Sequence, residues 1–137
     1  MRKAKVVRGE ELEWEPGQEP PLRNKRGICS KTVENPNLTM SRVIVPPAGR
    51  NQRHYHVNCD AGMHILKGRL RIFIGPDHDM EEVVAEAGDF VFAPAGVIHG
   101  FMNLSDSEPV ELVAAKNNVS DVKGQGTLFV EPRWDNR

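Results

Sequence analysis

The chain has 137 residues, 39% of them hydrophobic and 27% charged, which is the composition of one ordinary globular domain. Its 18 basic and 19 acidic residues give a formal net charge of −1, so no basic excess is present to neutralise nucleic-acid phosphates. The longest apolar runs, such as residues 90–95, are too short to span a bilayer, and the N-terminal stretch lacks the apolar segment of a signal peptide. Only two cysteines are present, so a disulfide framework is not indicated. These features predict a cytoplasmic protein that binds neither nucleic acid nor a membrane.

Residues 1–37 form an irregular lead-in to the domain. Its segment 15–21 contains three prolines and a glycine. Proline cannot donate a hydrogen bond to a neighbouring strand, so we expect this segment to be extended and to lie outside any sheet. The lead-in is expected to wrap around the rest of the domain or to reach a partner subunit.

Residues 38–117 are expected to form the main body of the domain, a barrel of antiparallel strands. Short runs of alternating apolar and polar residues predict strands, separated by glycine, proline and aspartate at turns. The predicted strands are residues 40–45, 70–74, 90–92 and 110–114, with a tight turn at 66–70 and a hairpin loop at 75–79. Helices should be few and short. In residues 118–137, the stretch 124–130 predicts one last strand before a polar tail.

Three histidines carry the chemistry that the sequence predicts. His54 and His56 are two residues apart, so on a strand both imidazoles face the same side, about 6–7 Å apart along the chain. His99 follows the turn residues Pro94 and Gly96 at the start of another predicted strand. An isolated His-x-His pair is most often a surface feature, but the third histidine favours a shared divalent metal ion.

The segments around these histidines resemble the two sequence motifs of the cupin superfamily. The second motif, G-x5-P-x-G-x2-H-x3-N, is matched at every fixed position by Gly88, Pro94, Gly96, His99 and Asn103. The first motif, G-x5-H-x-H-x3,4-E-x6-G, is matched by Gly49, His54, His56 and Gly68, with one residue fewer before His54. The resemblance implies an all-β fold, a jelly-roll barrel or double-stranded β-helix of antiparallel strands, with a metal ion inside its mouth.

One departure from the first motif changes the expected ligand set. The family's glutamate normally completes a shell of three histidines and one carboxylate, and Ala61 stands at that position. Asp60 is one residue away and would point to the opposite face unless a β-bulge turned it inward. The expected site is therefore three neutral histidines with water in the open positions, and Asp60 is only an additional candidate ligand. Losing an anionic ligand should strengthen the metal as a Lewis acid and favour anionic, chelating substrates.

Other residues are expected to surround the metal without binding it. Gln52 has the same strand parity as His54 and is expected to reach a metal-bound oxygen, whereas Arg53 is expected to face solvent. Asn103 should make a structural hydrogen bond. The expected apolar walls of the pocket are Met63, Phe92 and Phe101.

The leading functional hypothesis is a metal-dependent, dioxygenase-like enzyme that acts on a small chelating carbonyl or carboxylate compound. Fe(II) is the favoured ion, and zinc, nickel or manganese would also fit three imidazoles. One alternative is a lyase or isomerase that uses zinc or nickel as a Lewis acid. Another is a cupin that binds a small ligand without turnover. No catalytic residue is assigned, and a homodimer is expected because a second copy would protect the lead-in and the exposed sheet edges.

Overall fold

The computed structural model describes residues 2–16 and 22–133. Their regular structure consists of strands and three short 3₁₀ turns, Gly9–Glu11, Asp77–Asp79 and Lys123–Gln125. The strands are β1 Glu15–Pro16, β2 Arg23–Ile28, β3 Leu38–Val45, β4 His54–His56, β5 Ala61–Lys67, β6 Arg69–Ile74, β7 Glu81–Glu86, β8 Phe90–Ala93, β9 His99–Asn103, β10 Val110–Asn117 and β11 Thr127–Phe129. No helix in the described ranges is long and apolar enough to cross a membrane.

The strands form two antiparallel sheets that enclose the interior of the domain. One sheet has the order β1-β2-β3-β10-β5-β8, and the other has the order β11-β4-β9-β6-β7. Consecutive strands often lie in different sheets, as β3 and β4 do, so the chain crosses repeatedly from one layer to the other. This arrangement confirms the predicted all-β fold of antiparallel strands.

The hydrophobic core lies at the end of the barrel where β10 begins. Val45, Ile65, Leu70 and Val110 are completely buried there. Burying one such aliphatic side chain contributes about 1.5–3 kcal/mol, so this cluster is the main support of the barrel. Val110 pairs with Val45, and Lys116 pairs with Thr39 six residues further along the same ladder. The end of the barrel where β10 finishes is therefore more polar.

The turns between β5 and β6 and between β6 and β7 lie where the sequence predicted them. Gly68 connects the first pair with φ = +88°, a backbone conformation that residues other than glycine rarely adopt. A Cβ atom at this position would lie 2.7 Å from Val110 Cγ2. Gly75, with φ = +95°, begins the second turn, which continues through the 3₁₀ turn Asp77–Asp79.

The N-terminal lead-in contributes more to the sheet than the sequence indicated. β2 pairs with β3, and the two-residue strand β1 pairs with β2 at the edge of the sheet. The expectation that the proline-rich segment lies outside any sheet is therefore wrong for Pro16, because an edge strand tolerates a missing N–H donor. Residues 17–21 of that segment lie outside the described residues. At the other end of the chain, β11 confirms the predicted last strand and pairs with β4.

Candidate metal centre

The three predicted histidines converge at the polar end of the barrel. His54 and His56 are the first and last residues of β4, and His99 begins β9 directly opposite His54 in the antiparallel register. The ring centroids are 4.4–5.4 Å apart, and one ring nitrogen of each residue lies within 4.8 Å of the others. A metal ion bonds imidazole nitrogen at about 2.0–2.1 Å, so two ligands lie at most about 4.2 Å apart. A small closure of the side chains would bring the three nitrogens to that spacing.

Hydrogen bonds to the Nδ1 atoms orient the three rings. His54 Nδ1 donates to the carbonyl oxygen of Gln52 at 2.8 Å, and His99 Nδ1 donates to that of Val97 at 2.9 Å. A carbonyl oxygen can only accept, so the proton of each neutral ring must lie on Nδ1. Nε2 then carries the free lone pair that a metal ligand needs.

His56 is fixed by a hydroxyl group that comes from the last strand. Its Nδ1 lies 2.9 Å from Thr127 Oγ1, and that hydroxyl donates onward to Gln125 Oε1 at 3.5 Å. When Nε2 of His56 binds a metal ion, the ring proton lies on Nδ1, and the Thr127 hydroxyl oxygen is placed to accept it. The β11 strand therefore supplies an acceptor for the tautomer of His56 that a metal ligand needs.

The remaining nitrogen of His56 shows that the site fits a metal ion. His56 is 4% exposed, and its Nε2 is completely buried without a hydrogen-bond partner among the described residues. A buried polar atom left without a partner costs about 1–3 kcal/mol, so such atoms are rare unless a ligand or ion satisfies them. A metal ion shared with His54 and His99 would give this nitrogen its partner.

Burial also keeps the three imidazoles uncharged at neutral pH. Removal from water lowers the pKa of His54 to about 4 and that of His56 to about 3. The pKa of His99 is lowered by the same cause. Neutral imidazole is the form that binds metal, so no proton has to be displaced before an ion enters at pH 7.

The histidines open into a cavity of about 120 Å³ between the two sheets. Met63 and Phe101 line it, as the sequence predicted, and Leu112 extends the apolar wall. The polar residues that line it are Asn24, Arg26, Ser41, Asn51, Lys116, Gln125 and Thr127. No aspartate or glutamate is among the lining residues that the structure describes.

Asp60 does not take the place of the glutamate that the first cupin motif has at position 61. Ala61 lines the cavity, whereas Asp60 lies just before β5 and its Oδ1 accepts a hydrogen bond from the Ala95 amide at 2.8 Å. The cluster of potential metal ligands in the described residues contains His54, His56 and His99 and not Asp60. Asp60 therefore does not join the three histidines.

Three further expectations from the sequence differ from the structure. The side chain of Gln52 does not line the cavity, whereas its carbonyl oxygen accepts a hydrogen bond from His54 Nδ1. Arg53 does not face solvent: it is 3% exposed and ion-paired with Asp77. Both residues precede β4 in irregular backbone, where strand parity does not apply. Phe92 is 67% exposed and lines, instead of the cavity shared by the three histidines, an adjoining cavity of about 70 Å³ together with His99 and Phe101.

Several cavity residues were missed at the sequence level. Lys116 continues the inward-facing alternation of β10 beyond Leu112 and Ala114, and that parity could have identified it. Arg26 lies on β2, a strand that the sequence pattern did not predict. Asn103 makes the expected structural hydrogen bonds, donating to the carbonyl oxygens of Val45, Pro46 and Glu108.

Comparisons with known proteins agree with this architecture. Residues 41–116, more than half of the chain, match the family model described as a cupin domain. Germin-like protein subfamily 3 member 2 from Arabidopsis thaliana is 29% identical over 70 residues, which are 50% of this chain and 31% of that protein. The structure of KdgF from Halomonas sp. superposes with a TM-score of 0.72 at 18% identity, covering 87% of this chain and 97% of that one. An oxalate oxidase superposes with a TM-score of 0.68 at 20% identity, covering 85% of this chain and 58% of that one.

This chain corresponds to only part of two of these proteins. The chain spans less than a third of the germin-like protein and 58% of the oxalate oxidase. At 18–20% identity, the two structures are similar to this chain in fold.

Proposed function

This chain belongs to the cupin family, and we propose that it is a metal-dependent enzyme with dioxygenase-like chemistry that acts on a small chelating carbonyl or carboxylate compound. The observation that carries the proposal is the buried Nε2 of His56, which has no partner among the described residues and belongs to a cluster of three oriented imidazoles. Fe(II) is the favoured ion, with zinc, nickel or manganese as the other candidates.

His54, His56 and His99 would hold the ion through Nε2. A divalent ion bound by three neutral ligands keeps its full charge and its open positions, and so can polarise the oxygens of a chelating compound. The role of the protein is to keep the rings neutral and oriented. Burial keeps the rings neutral, and the carbonyl oxygens of Gln52 and Val97 orient His54 and His99.

The walls of the cavity restrict what can react there. Met63, Phe101 and Leu112 form an apolar surface beside the histidines. Such a surface excludes water and lowers the local dielectric constant, so that attraction between an ion and an anionic compound is stronger than in bulk solvent. The volume of about 120 Å³ favours a small compound. One of the similar structures is an oxalate oxidase, and oxalate is a small chelating dicarboxylate, which supports this substrate class.

The test is oxygen uptake by the iron-loaded protein with a panel of β-diketones, α-keto acids and catechol-like compounds. We expect uptake with at least one class and its loss in His99→Gln. His64→Gln is the matched control, because His64 stacks on Phe90 with ring centroids 4.2 Å apart and lies outside the histidine cluster. Absence of uptake across the whole panel would contradict the dioxygenase-like reaction.

A second candidate is a cupin that binds a small ligand without turnover. It is favoured by the absence of aspartate and glutamate from the described lining of the cavity, since no carboxylate is there to act as a general base. The same panel separates the two. A compound that raises the melting temperature and is recovered unchanged indicates binding, whereas one that the zinc- or nickel-loaded protein consumes without oxygen uptake indicates a lyase or isomerase.

A further inference from the structure

A lysine enters the histidine cavity from the facing sheet. Lys116 lies on β10, in the sheet opposite the one that carries His54, His56 and His99. On β10 the alternate residues Leu112, Ala114 and Lys116 all line the cavity. Along β10, the inward-facing side chain that follows the two apolar ones is therefore the amine of Lys116.

The position of Lys116 is directly across the ladder from Ala61. The two residues are paired in the β10–β5 register, and directly opposed side chains on one face of a sheet have Cβ atoms about 4.5–5.5 Å apart. Ala61 has only a methyl group, so it leaves room beside the lysine. Where the first cupin motif has a carboxylate, this cavity therefore has a cation from the neighbouring strand.

No carboxylate in the described part of the chain forms an ion pair with Lys116. Its side chain makes no hydrogen bond or ion pair with any residue in the described ranges. Cys59 lies close by, but burial raises the pKa of its thiol, so it stays uncharged. Burial lowers the pKa of Lys116, and an anionic group placed beside it would favour the charged ammonium form.

Arg26 is a second basic side chain on the same wall. It lines the cavity from β2, and its charge contributes to lowering the pKa of Lys116. Its Nε atom pairs with Glu15 at 3.4 Å, and Glu15 lines a neighbouring cavity, not the one with the histidines. The histidine cavity thus contains two basic side chains and no acidic one among the described residues.

The geometry points to an anion-binding subsite in which Lys116, assisted by Arg26, holds a carboxylate group of the ligand on the wall facing the three histidines. This inference deepens the proposed function, because it assumes that the cavity is the ligand site. The ligand class that fits is a small compound with two oxygen-bearing ends, one facing the imidazoles and the other, a carboxylate, facing Lys116. Charged hydrogen bonds from an ammonium or guanidinium group to a carboxylate are about twice as strong as neutral ones.

Binding of malonate to the full-length protein tests the subsite, with uncharged malonamide as a probe of nearly the same shape. Isothermal titration is performed on the metal-free and the zinc-loaded protein. We expect Lys116→Met to weaken malonate binding about tenfold or more, as expected when a charged hydrogen bond is lost. Malonamide binding should not change. Lys116→Arg should keep most of the malonate affinity, and Lys67→Met, on the exposed part of β5, is the matched control.

Zinc affinity provides a second readout that a merely structural lysine would not change. Removing a positive charge beside the rings should make zinc bind more tightly to Lys116→Met and to a second neutral variant, Lys116→Gln. The subsite is refuted if both neutral variants bind malonate within about twofold of the unmodified protein. It is also refuted if malonate binds no better than malonamide, or does not bind in either metal state.

The outcomes separate this inference from the proposed function. If zinc does not bind but malonate binding to the metal-free protein still depends on Lys116, the metal-dependent function fails and the anion subsite stands. If zinc binds through the histidines but malonate affinity does not depend on Lys116, only the subsite is refuted.

Discussion

The hydroxyl of Thr127 offers a direct test of how the candidate metal centre is organised. It lies 2.9 Å from His56 Nδ1, and His56 is the least solvent-exposed of the three histidines. Thr127→Val keeps the β-branched shape that suits β11 and removes only the hydroxyl. His56 Nδ1–H would then have no acceptor, and the ring would be free to rotate or to change tautomer.

The size of the effect follows from the loss of this one hydrogen bond. Outer hydrogen bonds to metal-binding histidines contribute about 10–100-fold in metal affinity. That range corresponds to about 1.4–2.7 kcal/mol, which agrees with the about 1–3 kcal/mol cost of leaving a buried donor unsatisfied. We therefore expect zinc to bind Thr127→Val about 10–100-fold more weakly than the unmodified protein.

The assay is competition for zinc between the protein and a chromophoric chelator at pH 7. Thr127→Ser is the matched control, because it keeps the hydroxyl and should keep most of the affinity. Leu128→Thr, an exposed position on the same strand, controls for changes to β11 itself. A folded Thr127→Val protein with unchanged zinc affinity would refute the role assigned to this hydroxyl.

Four other predictions follow from the structure. Burial lowers the pKa of His54 to about 4, so below pH 6.5 the unfolded chain takes up a proton that the metal-free folded protein does not. The free energy of unfolding should therefore fall as the pH drops from 6.5 towards 4. A free energy of unfolding that stays constant over this range in urea titrations would contradict this prediction. Gly68→Ala should destabilise the fold by about 1–3 kcal/mol, because φ is +88° and the new Cβ would lie 2.7 Å from Val110 Cγ2. Gly62→Ala, with no atom within 4 Å of its Cβ, should leave the melting temperature nearly unchanged, and equal effects of the two would count against this account. Ala61→Glu should raise zinc affinity by about tenfold or more by restoring a carboxylate. Unchanged affinity in the same chelator competition would contradict this. Light scattering should give a homodimer, and a mass of 15.3 kDa would rule it out.

Much of the fold could be predicted from the sequence because strand periodicity and turn chemistry are local properties. The alternation in residues 40–45 and 110–114 gave the two longest strands, β3 and β10. β2 was missed because its inward-facing residues Asn24 and Arg26 are polar and face the cavity. A strand whose inner side chains face a polar cavity has no apolar alternation to reveal it.

The convergence of the histidines could be predicted because side-chain direction follows from residue spacing on a regular strand. Parts of the surrounding site could not be predicted because they depend on loops and on the order of the strands. His54 and His56 lie on a regular strand, where two-residue spacing fixes the direction of both side chains. Arg53 immediately precedes that strand, and its burial against Asp77 depends on how a distant loop folds back. Lys116 was missed for a different reason. Its inward direction could be extrapolated along β10, but only the sheet order places β10 beside β5 and opposite the histidines.

The most direct test of the central claim is a crystal structure of the zinc-loaded protein with anomalous diffraction measured at the zinc absorption edge. We expect one strong anomalous peak at about 2.0–2.1 Å from Nε2 of His54, His56 and His99, with the Nδ1 hydrogen bonds of all three rings retained. Zinc bound only elsewhere on the protein, or the absence of a peak between these rings at full zinc loading, would contradict it.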